Sequence, residues 1–301
     1  MLAWLWKTVA KPIIQFLHLK KTGWCNSNLP RIRWIACGIF SQLPIHAAGM
    51  YSEDSSDYMD QYAVSSYLSS IRGSVASRQR KPLVPYYQNA NREFTLFGMS
   101  TSPAVPEGKL ADLAVTEEKH RIFASLGDSF TNNAIDNCNF GVARNMMHWA
   151  RIIHFTCHGI PHPTDPSKSR LVLLRDDKEP CTVAQIRDMD IPNALLLYLS
   201  ACHSAIDPQA GETDEIIHLA KAFLLAGFPT VIGTLWQAYE TSALDIAAVF
   251  YAQVAREWKA EQDEPGPDVF PRALHYAVCK WRENGKMWKP LDWASWVCFG
   301  S

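Results

Sequence analysis

The chain has 301 residues, 48% of them hydrophobic, with 29 Lys plus Arg against 30 Asp plus Glu and a formal net charge of −1. That length and apolar content suffice for one large domain or two smaller ones with a sizeable core. Basic residues are scattered and Lys20-Lys21 is too short a cluster to count, so nothing points to a nucleic-acid partner.

Eight cysteines, at positions 25, 37, 138, 157, 181, 202, 279 and 298, show no disulfide-framework spacing. This usage fits a reducing compartment, and a cytoplasmic protein is expected. Cys157 and Cys298 lie in strand-like apolar runs, where thiols act as small hydrophobes.

Residues 1–19 are apolar but interrupted by Lys7 and Lys11. They lack the charged start and small-residue end of a secretory signal, and the lysines argue against a membrane span. Leu2, Leu5, Val9, Ile13 and Phe16 recur at helical spacing. This predicts an amphipathic helix packed on the domain, with no membrane partner. Residues 32–40 read as a strand and a turn at Gly38. Residues 52–62, with Glu53, Asp54, Asp57 and Asp60, read as a polar surface loop. Residues 62–71 suggest a short strand leading into a helix, and the basic, proline-containing stretch 77–91 a linker. Residues 93–99 alternate as a strand does. Residues 110–126 and 142–150 have helix composition.

From residue 151 the order becomes regular. Strands are expected at 151–157, 171–174, 194–201, 231–236 and 293–299. Helices are expected at 182–189, capped by Thr182, at 214–226, stopped by Gly227, and at 241–258 and 269–283. A polar loop falls at 207–212. Alternating strands and helices mean a mostly parallel sheet covered on both faces.

His158-Gly159 and Cys202 lie just past the ends of two of these apolar runs. In open parallel sheets, reactive groups gather beyond the carboxyl ends of strands. A histidine and a cysteine facing one crevice have the layout of a thiol nucleophile and its base. Gly159 lets its N–H approach a ligand closely, and with the Cys202 N–H it suits an oxyanion hole. On pattern alone, a strand-end histidine and a buried thiol account for these residues equally well. A zinc site is a weaker reading. His154, Cys157, His158, Cys202 and His203 are potential ligands, but alternation puts 154 and 157 on opposite faces of a strand. His154 reads better as a packed core histidine, and no metal is expected.

Several stretches together resemble the CHAT domain, a caspase-like peptidase domain related to separase. They are His154-Phe155-Thr156-Cys157-His158-Gly159, Leu199-Ser200-Ala201-Cys202, and Asp214-Glu215 with His218-Leu219-Ala220, Ala222-Phe223 and Ala226-Gly227-Phe228. Val231-Ile232-Gly233-Thr234-Leu235-Trp236 and the ending 290–300 complete the set. Residues 30–35, 43–49 and 65–67 look like fungal members. The resemblance implies a caspase-like α/β/α sandwich on a mostly parallel sheet. It divides the chain into residues 1–90, read as the remnant of an inactive protease-like half, and a peptidase domain, 91–301.

Carried over residue by residue, the resemblance makes His158 the catalytic histidine, Gly159 the oxyanion glycine and Cys202 the nucleophile. The His-to-Cys separation of 44 residues agrees with a caspase spacing of about 50. His203 receives no role. Four residues after Trp236, where separase-like relatives carry an aspartate that receives a basic substrate side chain, stands Glu240. It serves equally as that pocket charge or as a favourable charge at the following helix N-terminus. Asp214 is a second pocket candidate or a helix cap. Glu215 is suited to orienting the active-site loop. Asp245 is read as a solvent-facing carboxylate.

The function expected is a cysteine endopeptidase without metal or organic cofactor. It would cleave a protein substrate after a basic residue in a regulated defence or cell-death pathway, with a repeat-containing protein as regulator. Loops 160–170 and 203–213 are the natural gates. The competing class is an interaction module that keeps the fold and cleaves nothing.

Overall fold

The computed structural model describes residues 1–52, 55–68, 92–103, 105–106, 108, 110–176, 178–200, 202–203, 215–260, 266, 268–284 and 287–300, with backbone alone for 55–56, 202–203 and 215–218. The linker expected at 77–91, the loop 207–212 and Asp214 lie outside these residues.

Among the described residues, eight strands form the main sheet in the order β1-β4-β14-β13-β11-β7-β5-β6. Their ranges are β1 Arg31–Trp34, β4 Val64–Tyr67, β5 Glu93–Gly98, β6 Thr131–Asp136, β7 Ile152–Thr156, β11 Leu196–Leu199, β13 Thr230–Thr234 and β14 Trp296–Gly300. Every pair is parallel except β13 with β14. β7, β11, β13 and β14 are buried at every position. Such strands read as unbroken apolar runs because both faces are covered.

The two faces are separate cores. Ile153, Phe155, Leu197, Leu199 and Val231 join a cluster with the helices Phe140–Met147, Val183–Arg187 and Glu215–Ala226. Ile152, Leu196, Tyr198 and Ile232 join another, with the helices Val115–Leu126, Glu240–Ala260 and Val269–Glu283. Alternate residues of each strand thus feed opposite layers. The result is an α/β/α sandwich. Each fully buried Leu or Phe contributes roughly 1.5–3 kcal/mol of transfer free energy.

Local signals worked as expected at several ends. The Thr182 hydroxyl accepts the Gln185 N–H at 3.2 Å, and the Gln185 side-chain oxygen accepts the Thr182 N–H at 3.1 Å. This reciprocal pair is a capping box. Gly227, at φ 130°, ends the helix before it.

Three expectations need correction. The N-terminal helix packs on the domain, but Phe16 is 82% exposed. A π-helical turn at Trp6–Ala10 between the α-helical segments Leu2–Leu5 and Lys11–Phe16 shifts the buried stripe to Leu5, Trp6, Ala10 and Ile14. The polar stretch after Gly49 is not a surface loop. It pairs as a hairpin, β2 Gly49–Ser52 with β3 Ser55–Tyr58, and Tyr58, Met59 and Asp60 are buried. The stacking of Tyr51 on Tyr58 at 4.9 Å supplies the cohesion that hydropathy did not show. The final strand begins at Trp296 because Pro290–Trp293 is helical.

Candidate active site

β7 and β11 are adjacent and parallel, with Leu199 in register with Phe155, so their carboxyl ends lie at one edge. The chain does not leave that edge as open loops. After one intervening residue beyond β7 it forms β8, His158–Ile160, and after two beyond β11 it forms β12, Cys202–His203. These pair in parallel, with Cys202 the Cα partner of His158 and His203 that of Gly159. β9 Arg170–Leu171 and β10 Cys181–Thr182 complete a four-stranded sheet in the order β10-β9-β8-β12. Neighbouring strands run about 4.8 Å apart, so the backbones of His158 and Cys202 lie side by side.

The His158 imidazole is buried. Its Nε2 is 2.7 Å from the carbonyl oxygen of Ala111. A carbonyl only accepts, so the proton resides on Nε2. Nδ1 is buried and has no hydrogen-bond partner among the described residues. The ring is thus held through one nitrogen. Sequence reasoning missed Ala111, because a backbone carbonyl has no side-chain signature.

Gly159 is buried in β8 beside β12. A Cβ there would meet nothing nearer than Leu219 Cδ1, at 3.8 Å. Packing among the described residues therefore does not demand glycine at this position.

Glu240 is exposed and opens the helix Glu240–Ala260, which follows β13 at the same sheet edge. The connection is anchored where the Trp236 indole N–H donates to the Leu291 carbonyl at 2.9 Å. Asp245 is not simply a solvent-facing charge. It pairs with Arg121 at 2.8 Å and accepts the Trp281 indole N–H at 3.3 Å.

His154 is a packed core histidine. Its Nε2 is 3.1 Å from Glu118 Oε1, its Nδ1 is 3.1 Å from the Tyr251 hydroxyl, and its ring stacks on Tyr198. Both nitrogens are occupied, which leaves none for a metal. No three His, Cys, Asp or Glu side chains among the described residues are grouped to hold an ion. Cys157 and Cys298 are buried as small hydrophobes. Burial pushes the Cys138 thiol up to about 11 and that of Cys298 up to about 12, and raises Cys181 and Cys279 as well. Those four thiols stay protonated at neutral pH. No helix among the described residues is long and apolar enough to cross a membrane.

The fold is that of the caspase-like cysteine proteases. The crystal structure of gingipain R, an Arg-specific cysteine proteinase, superposes with a TM-score of 0.55 at 12% identity, covering 98% of this chain and 68% of that one. The complex of the Porphyromonas gingivalis RgpB pro- and mature domains gives 0.56 at 13% identity, covering 98% and 69%. The Saccharomyces cerevisiae separase–securin complex gives 0.52 at 15% identity, covering 87% of this chain and 15% of that one. The chain belongs to the CHAT domain family, whose model matches residues 1–301. No curated protein sequence matches it.

Proposed function

We propose that the protein is a cysteine endopeptidase in which His158 and Cys202 form the catalytic dyad. One observation carries the reading: the Ala111 carbonyl accepts the Nε2–H hydrogen bond, and Nδ1 of the buried imidazole has no partner among the described residues and belongs to the strand paired with that of Cys202. Nδ1 takes the thiol proton, and the thiolate attacks the peptide carbonyl carbon. The N–H groups of Gly159 and Cys202 stabilise the oxyanion. The imidazolium then protonates the leaving amine as the C–N bond breaks. Water, giving its proton back to Nδ1, hydrolyses the acyl-enzyme and restores the thiol. No metal or organic cofactor enters these steps.

The substrate is a protein cleaved after a basic residue, with Glu240 pairing the arginine or lysine. The Arg specificity of gingipain R, a protein of the same fold, supports this choice. The activity belongs in a regulated defence or cell-death pathway in the cytoplasm, with a repeat-containing protein as regulator.

The test is a peptide electrophile ending in arginine. It should alkylate Cys202, and Cys202→Ala should abolish both labelling and proteolysis with the fold intact. Retained cleavage in that variant, or labelling at Cys157 instead, would refute the dyad. A folded protein that neither labels nor cleaves would point to a silent interaction module.

A further inference from the structure

We propose that Ser102 is a positioning residue for His158, acting through the Ala111 carbonyl that the two side chains share. The Ser102 hydroxyl donates to the Ala111 oxygen at 2.7 Å, and the His158 Nε2–H donates to the same oxygen at 2.7 Å. A carbonyl oxygen has two lone pairs, and here both are engaged. Ala111 lies in irregular chain, residues 110–114, ahead of the helix Val115–Leu126. Nothing in regular secondary structure fixes its peptide plane. The Ser102 hydroxyl does so from the other end of the same connection.

The two residues before Ser102 are tied down. The Ser100 N–H donates to Asp136 Oδ1 at 3.1 Å, and the Ser100 hydroxyl to Asp136 Oδ2 at 2.5 Å. The Thr101 N–H donates to Asn137 Oδ1 at 3.2 Å, and Asn137 Nδ2 donates to Ser100 Oγ at 3.0 Å. Asp136 ends β6, and Asn137 follows it with φ 53°, a left-handed conformation that asparagine tolerates better than most residues. Hydrogen bonds thus anchor Ser100 and Thr101 to the end of β6, the backbone carries that anchor one residue on to Ser102, and Ser102 bonds the Ala111 carbonyl that also holds the imidazole. Val105 and Leu110 fasten the connection from a second side, in a small apolar cluster with Ile160 and Val172. Ile160 belongs to the same strand as His158.

The consequence is specific to the ring. With both donors in place the carbonyl faces Nε2 and holds its N–H. Without the hydroxyl the carbonyl is held by the imidazole alone, and the Nε2 proton opens more often to solvent. This inference rests on the dyad reading for its catalytic meaning, but not for its geometry.

The test is nitrogen-15-edited NMR of histidine-labelled protein, with the His158 Nε2–H resonance assigned by its loss in His158→Gln. In Ser102→Ala, exchange of that proton with solvent should accelerate about tenfold or more, and the alkylation rate of Cys202 should fall severalfold. Ser102→Thr, which keeps the hydroxyl, should restore both. If Ser102→Ala does not fold, Ser102→Cys, with its weaker donor, should give an intermediate exchange rate. Unchanged exchange in the alanine or cysteine variant overturns the proposal, and so does failure of threonine to restore it. If no variant reacts with the electrophile while Nε2–H exchange still follows the hydroxyl, the dyad reading fails and the positioning role stands.

Discussion

Asp60 and Arg282 form a buried ion pair that joins the segment after the β2–β3 hairpin to the helix Val269–Glu283. The guanidinium lies over Tyr58 at 4.8 Å and Trp293 at 5.1 Å, and the Cys279 thiol donates to the same carboxylate at 3.5 Å. Removing one member leaves the other charged and dry. Asp60→Ala should cost about 3–5 kcal/mol, read as a lower urea midpoint. A loss under about 1 kcal/mol would mean that water reaches Arg282.

Gly98 ends β5, and a Cβ there would overlap Val115 Cγ1 at the start of the helix Val115–Leu126. Relief requires turning the buried, β-branched Val115 side chain or shifting the helix start, which Ala111 precedes by four residues. Gly98→Ala should therefore destabilise by about 1–3 kcal/mol. It should also slow alkylation of Cys202, and the rate constant should fall more than the change in folded fraction explains.

Glu240 separates two roles by one substitution. If it receives a basic substrate side chain, Glu240→Gln should lower kcat/KM for arginine substrates roughly 10- to 100-fold, the worth of one charge-assisted hydrogen bond. If it serves only the helix N-terminus, kcat/KM holds and stability falls by about 0.3–1 kcal/mol.

His46 gives the protein an acid limit. Its Nδ1 is 2.8 Å from the Tyr67 hydroxyl, and burial pushes the imidazole down from 6.5 to about 4, outweighing the attraction of Asp60. As pH falls, the unfolded chain takes up this proton near 6.5 and the native protein only near 4. Stability from this group is whole above pH 6.5 and declines toward pH 4, by on the order of 3 kcal/mol. Burial lowers His275 too, in the same sense. Urea midpoints measured between pH 7 and 5 should drop for the native chain and less steeply for His46→Phe.

The central architecture was legible because its strands are unbroken apolar runs. β7, β11 and β13 announce themselves by composition, and their order predicts where His158 and Cys202 emerge. β6 was missed, since Thr131–Asp136 is a polar edge strand with no buried position. The hairpin was missed because Asp60 looks like a surface charge until Arg282 is beside it. Glu118 could have been found. Val115, Glu118, Ile122 and Leu126 share one buried helical stripe, and an acid on that stripe needs a partner, which is His154. The Ala111 carbonyl could not have been found, because any residue supplies one.

β14 comes last in chain order among the described strands, yet it sits inside the sheet, between β13 and β4. Its seam with β4 is thin, a single registered pair, Phe299 with Tyr67. A nascent or truncated polypeptide that stops before Trp296 leaves two strand borders with open amide groups, ready to adhere to other chains. The ribosome must therefore have passed Gly300 before the two flanks can be stitched together. Early stop codons in this region should yield insoluble product, even though every residue of the reactive cleft has already been translated.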